Sequence, residues 1–208
     1  MELSKEALQT KGTLLDEMNH AEIVEFLRPY MRFRGNWIRL FWFLNFLALL
    51  ALVASALLSA SKGFHVFVSQ LSYGLALFFL VLPLHEGIHG LAYRYFGAKR
   101  VLFRAEWKKL VVYAMADGFV ADRKELFWVA ILPFLLLNSL ILVLALFVFP
   151  SYATMFYSLL LIHCSGCVGD FALINYFALN SHRTIVTYDD AEQRKSYFYV
   201  LGEQATGL

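Results

Sequence analysis

Two histidines four residues apart with a glutamate after the first, His85-Glu86-Gly87-Ile88-His89, are the residues of this chain best suited to chemistry. On a helix the i, i+4 spacing puts both imidazoles on one face, where they can hold a single Zn²⁺. The intervening Glu86 then stands as a general base toward a water that the metal activates. The implied chemistry is metal-assisted hydrolysis. Two histidines do not complete a catalytic zinc site, which takes three protein ligands and keeps one position open. A third ligand must come from elsewhere in the chain.

Asp170, in Ser165-Gly166-Cys167-Val168-Gly169-Asp170, is one candidate. It is a carboxylate inside a long apolar segment, where a charge costs at least about 2.5–3.5 kcal/mol to insert, so it needs a partner. His163 is a second candidate. It shares a helix face with Asp170 but lies roughly 10 Å away along the axis, which makes joint ligation with His85 and His89 hard unless the helix is tilted or broken. A pathway group, a group behind the ligands and a hydrogen-bonded core histidine are the other readings of His163. Cys167 faces the same side, and a thiolate is a good zinc ligand. Cys164 is rotated about 100° away, which weighs against a paired Cys-x-x-C site. Small residues packed between helices are the plainer reading of both cysteines and of Gly87, Gly90, Gly166 and Gly169. Asn45, Asn138 and Asn175 read as interhelical hydrogen-bonding groups, with Asn175 only marginally preferred as a group that orients substrate.

The elements that position these groups read as membrane helices. Of the 208 residues, 60% are hydrophobic and 16% charged, and mean hydropathy is positive, which excludes an ordinary soluble globular domain. Residues 66–84 carry no charge, so the histidine motif closes an apolar span. Spans are expected at 40–60, 66–96, 127–149 and 152–179, each long enough to cross about 30 Å of hydrocarbon. Ser61-Lys62-Gly63 and Pro150-Ser151 make the turns between them. With the N-terminus inside, residues 1–39, 94–126 and 180–208 hold seventeen of the eighteen Lys and Arg, Lys62 being the exception. That asymmetry places both termini in the cytosol, and it assigns the basic residues to topology and not to nucleic acid. Spans two and four then enter from the same outer face. His85 lies roughly 28 Å below residue 66 and Asp170 roughly 27 Å below residue 152, so the two come out level, toward the cytosolic side.

The remaining segments are cytosolic. Asn19 and Glu22 have capping-box spacing before an amphipathic stretch that Pro29 ends or kinks, and Arg28, Arg32, Arg34 and Arg39 gather before the first span as headgroup anchors. The polar start does not resemble a cleaved signal peptide, so the first apolar helix is expected to be retained. Residues 97–121 alternate in part and carry a β-branched, aromatic run, which predicts a short hairpin turning at Lys108-Lys109. After Asn180 the chain is polar and reads as a solvated tail, with nothing in Asp189-Asp190 that suggests chemistry. The two cysteines imply no disulfide framework. The fold class is therefore an all-α polytopic membrane protein of about four transmembrane helices with a cytosolic β-hairpin between spans two and three. Its parts are an N-terminal arm (1–39), a four-span domain (40–180) and a C-terminal tail (181–208).

His85-Glu86-x-x-His89 in an apolar helix, a basic β-like insertion, Ala130-x-x-Pro133-Phe134 and a late Gly169-Asp170 resemble the bacterial putative zincin peptidase membrane family. That family is similar in turn to the site-2 proteases, which are intramembrane zinc metalloproteases. The resemblance covers roughly residues 66–180. It implies Zn²⁺ held by His85, His89 and Asp170, Glu86 as catalytic base, a bacterial inner membrane and a membrane protein or peptide as substrate. One departure is visible: site-2 proteases carry the third ligand in a longer stretch ending Leu-Asp-Gly, where this chain has Val-Gly-Asp-Phe.

The leading expectation is a membrane-embedded zinc metallopeptidase whose hairpin holds an extended substrate by adding a strand. The rival is a non-catalytic zinc-binding structural or regulatory membrane protein, for which Glu86 would be superfluous. A di-iron hydroxylase needs about eight histidines in several boxes, and this chain has six, with His20, His65 and His182 dispersed. A transporter finds little support in one acidic residue and no repeat symmetry.

Overall fold

A computed structural model describes residues 5–59, 63–106 and 111–202. In chain order it runs α1 (Lys5–Lys11), β1 (Gly12–Asn19), a 3₁₀ turn at His20–Glu22, α2 (Ile23–Leu27), a second 3₁₀ turn at Arg28–Met31, α3 (Asn36–Ser59) and α4 (Phe64–Tyr95). Then follow β2 (Val101–Glu106), β3 (Val111–Ala116), β4 (Val120–Asp122), α5 (Arg123–Val143) with a π-helical end at Leu144–Val148, α6 (Ala153–Gly166), α7 (Val168–Leu179), β5 (Thr184–Asp190) and β6 (Lys195–Leu201).

Asn36–Ser59, Phe64–Tyr95 and Arg123–Val148 are long and apolar enough to cross a membrane, and α6 with α7 makes a fourth crossing if that bent pair is one span. Their outward faces carry Leu57, Leu58, Phe79, Leu80 and Phe147, all largely exposed. A water-soluble bundle would place polar residues there. Asp122 starts α5 with a capping box: its side chain accepts from the amides of Lys124 and Glu125, and the Glu125 carboxylate accepts from the Asp122 amide. The cap at Asn19 is simpler. Its side chain accepts from the Ala21 amide and starts only the 3₁₀ turn before the short α2.

The α6–α7 pair departs from a straight rod. Between α6 and α7 the axis turns by 41°. Cys167, between Gly166 and Val168, sits at φ −74°, ψ 10°, and its amide points back at the carbonyls of His163 and Cys164, 3.2 Å from each. The first turn of α7, which carries Asp170, is therefore aimed independently of α6, which carries His163.

An all-α fold is a second expectation that the structure corrects. The β2–β3 hairpin is present, pairing Val101 with Ala116 through Glu106 with Val111, while its expected Lys108-Lys109 turn lies outside the described residues. Beyond it stands a four-stranded antiparallel sheet in the order β1-β6-β5-β4. The arm supplies β1 and the supposed tail supplies β5 and β6, so 184–201 is folded and not a loose solvated end. Ile185, Val186, Tyr188, Phe198 and Val200 are buried, a β-branched and aromatic content that suits strands. Tyr93 of α4, Leu126 and Val129 of α5, Tyr176 and Phe177 of α7 and Ile185, Phe198 and Val200 of the sheet form one core. The sheet thus packs on the C-terminal end of α4, one turn past the histidine motif, and on the C-terminal end of α7, whose first turn carries Asp170. Asn175 ties α7 to the arm by donating to the carbonyls of Tyr30 and Arg34 at 3.0 and 2.7 Å.

The small residues do not all serve close packing. A Cβ at Gly74 would collide with Ser158 and the Met155 carbonyl of α6, and one at Gly90 would press on Phe103 of the hairpin. Gly87 and Gly169 face open space and Gly166 makes only ordinary contact with Phe78, so their expected role as helix-packing glycines does not hold.

Candidate metal centre

His85 and His89 lie one turn apart on α4, just past Pro83, which has no N–H for the ladder. Both side chains are buried. Their Nε2 atoms are 3.0 Å apart. Asp170, in the first turn of α7, spans the pair: Oδ2 is 3.3 Å from His85 Nε2 and Oδ1 is 3.3 Å from His89 Nε2.

Hydrogen-bond bookkeeping fixes what these nitrogens present. His89 Nδ1 is 2.8 Å from the Val129 carbonyl oxygen, which only accepts, so Nδ1 carries the proton and Nε2 the lone pair of the neutral ring. His163 Nδ1 is 2.8 Å from Asn138 Oδ1, again an acceptor, so the neutral His163 donates there and its Nε2 is bare. That Nε2 lies 3.1 Å from His85 Nδ1, which must therefore donate, leaving His85 Nε2 bare as well. Two lone pairs and a carboxylate converge on one point. Without a cation such a group is mutually repulsive, and two imidazoles with one carboxylate are a ligand set that zinc takes in hydrolytic sites. The residues fit the metal that the sequence implies.

Each candidate from the sequence now has a place. His85, His89 and Asp170 come together. His163 is drawn to the other ring nitrogen of His85, beside the ligand set and outside it. Cys167 is fully buried with Sγ 3.2 Å from the His163 carbonyl oxygen and 4.0 Å from His85 Nδ1, also on that other side. His85, His163 and Cys167 form a second cluster of metal-binding side chains, but the His85–His163 hydrogen bond already uses its nitrogens. Asn138 is the group that sequence reasoning did not single out. It sits on α5 behind His163 and was one of three alike asparagines in apolar helices; of the others, Asn45 accepts from Ser165 Oγ at 2.8 Å.

A cavity of about 450 Å³ opens from this centre toward the sheet. Glu86 lines it, with Oε2 buried and unpartnered among the described residues. The Ala114 backbone N–H on β3 faces the Glu86 carboxylate. Two residues on, the Ala116 N–H donates to Asp189 Oδ2 at 3.1 Å. These alternate amides show that the edge of β3 not paired with β2 looks into the cavity. Asp189 Oδ1 accepts from Ser196 Oγ at 2.6 Å, and Ser196 Oγ lies 2.9 Å from His20 Nε2. Burial pushes the Asp189 carboxyl up to about 6, against the lowering effect of its Ser196 and Ala116 bonds. Burial, helped by the Arg194 charge, brings His20 down to about 4. His20 and Asp189 belong to segments read from sequence as featureless, and the spacing of 169 residues between them left no motif to find.

A family model described as a putative zincin peptidase matches residues 78–183, just over half of the chain, from within α4 to the residue before β5. It encloses the histidine motif, the hairpin, Asn138, His163 and Asp170. Among curated proteins and solved structures, none matches.

Proposed function

Because the chain belongs to the putative zincin peptidase family, we propose that it is a membrane-embedded zinc metallopeptidase acting on membrane or membrane-proximal proteins. His85, His89 and Asp170 hold the metal and Glu86 is the catalytic base. The observation that carries this reading is the 3.0 Å approach of two imidazole nitrogens that both present lone pairs, with an Asp170 oxygen 3.3 Å from each. A divalent cation is what that geometry calls for.

Zinc bound there supplies Lewis acidity, polarising the scissile carbonyl and acidifying the attacking water. Glu86 takes that water's proton and, once protonated, passes it to the leaving amine. Its Oε2, unpartnered among the described residues, leaves an oxygen free for the proton, while the Ala114 amide orients the carboxylate. Val129 and His163 hold the two imidazoles in the tautomer that ligates. A helical substrate must unwind, since a helix occupies its own carbonyls. The cavity edge of β3 can steady the extended segment through the backbone groups that Glu86 and Asp189 do not use, those of Val112 in particular. The distribution of basic residues supports a cytosolic position for both termini in this reading, and the family resemblance a bacterial inner membrane. A purely structural zinc site is disfavoured by Glu86, a buried acid beside the ligands that ligation does not need.

The test is cleavage of candidate single-span proteins by the zinc-loaded chain in liposomes. Glu86→Gln should keep the metal and lose about 10²–10⁴-fold in rate. Undiminished cleavage by that variant excludes the mechanism.

A further inference from the structure

We propose that the sheet end of the cavity, where Asp189, His20 and Tyr113 meet, is a subsite for a lysine or arginine side chain of the substrate, within about three residues of the bond cleaved. The proposal rests on the peptidase reading and adds a substrate preference to it.

Position comes first. Glu86 and Asp189 are held by the amides of Ala114 and Ala116, alternate groups on one edge of one strand. Two strand residues span about 7 Å. A substrate lying extended along that edge, with its scissile carbonyl at Glu86, therefore carries a neighbouring side chain to Asp189. Both groups line the same cavity.

The chemistry of the pocket then selects the side chain. Ser196 has one hydroxyl proton and gives it to Asp189, so His20 Nε2 must donate to Ser196 and His20 Nδ1 is a bare acceptor. That Nδ1 is buried and without a partner among the described residues, in a side chain only 2% exposed. The Tyr113 hydroxyl, its ring 5.3 Å from that of His20, is also buried and unpartnered among the described residues. Asp189 is half-buried and accepts one bond at each oxygen, with lone pairs to spare. Among the described residues four nearby basic side chains are engaged elsewhere, Lys5 with Asp190, Arg100 with Asp117, Arg194 with Glu106 and Lys195 with Glu17, while Arg104, cross-strand from Tyr113, is exposed. The half-buried Asp189 carboxylate, with two idle polar atoms beside it, has no cationic hydrogen-bond donor among the described residues. A Lys ammonium or an Arg guanidinium supplies both the charge and the protons.

Short labelled peptides carrying Lys or Gln at successive positions test this with the zinc-loaded full chain in detergent. The Lys peptide should be cleaved at least about tenfold better in kcat/KM than its Gln twin at one position. In Asp189→Asn that ratio should collapse toward one, and Asp189→Glu should restore part of it. Equal handling of the two peptides by the wild type, or an unchanged ratio in Asp189→Asn, overturns the subsite. Binding to zinc-loaded Glu86→Gln, followed by fluorescence anisotropy, needs neither cleavage nor a change at Asp189. Preferential binding of the Lys peptide there supports the subsite even where no cleavage is found, in which case the peptidase reading alone fails. Equal binding of both peptides removes the subsite whatever the cleavage assay gives.

Discussion

His163 stands behind His85, its Nε2 3.1 Å from His85 Nδ1, and is in turn held through Nδ1 by Asn138 Oδ1 at 2.8 Å. The chain of acceptors ends on a side-chain carbonyl and fixes the proton on His85 Nδ1, so that Nε2 is kept bare for the metal. This makes His163 a positioning residue. Its removal should loosen the ligand without deleting it. His163→Ala is expected to weaken zinc about 10–100-fold by chelator competition while still binding a full equivalent at excess zinc. His163→Gln, which keeps an acceptor near His85 Nδ1, should recover part of the loss. An unaltered affinity in His163→Ala would sink the positioning role.

Asp170 behaves differently because it faces both Nε2 atoms at 3.3 Å. Asp170→Ala should lose zinc outright during purification, leaving a substoichiometric content by metal analysis. Cys167→Ala, whose sulfur lies on the far side of His85, should retain the metal. Loss in the cysteine variant and retention in the aspartate variant would move the ion to the His85–His163–Cys167 cluster.

The histidine motif and the level of Asp170 with it were legible because helical spacing and rise are the same in nearly every helix. The place of His163 was not. On a straight helix it falls roughly 10 Å from Asp170 along the axis, and only the break at Cys167 lets α6 and α7 aim the two side chains separately. That break depends on packing between helices, which spacing within one helix does not report. Asn138 was legible as an interhelical hydrogen-bonding group, but its partner was not, since an asparagine in an apolar helix looks the same wherever it points. The sheet was hidden by composition. Its strands Thr184–Asp190 and Lys195–Leu201 do carry continuous runs of aromatic and β-branched residues. The acidic and basic residues around their turn gave the segment the look of a solvated tail, and β1, their third partner, lies at the opposite end of the chain.

Gly74 marks the closest approach of α4 to α6 among the glycines of those helices, beside Ser158 and the Met155 carbonyl. Gln70, one turn earlier, reinforces the contact by donating to the Ser151 carbonyl at 3.1 Å. Gly74→Ala has to push backbone as well as a side chain, so it should destabilise by about 1–3 kcal/mol. Unfolding in mixed micelles would read the change. Wild-type stability in that variant would show that the helices are not held this close.

His20 and Asp189 titrate in opposite directions, and their effects on stability should cancel in the wild type. His20 falls from 6.5 to about 4 on folding, so its contribution is full above pH 6.5 and is lost as pH falls through 4. Asp189 rises from 3.8 to about 6, so its contribution is full below pH 3.8 and is lost as pH rises through 6. Between these limits one slope is positive and the other negative, each at most about 1.4 kcal/mol per pH unit. The wild type should therefore show a nearly flat contribution from this pair over pH 4–6. Asp189→Asn removes one slope, and its stability should fall on acidification across that window. His20→Gln, which keeps a donor for Ser196, should instead lose stability as pH rises. Chemical unfolding in detergent at stepped pH measures all three profiles. Parallel curves for both variants and the wild type would mean that neither group changes its protonation on folding, and that the sheet end of the cavity is wetter than its geometry implies.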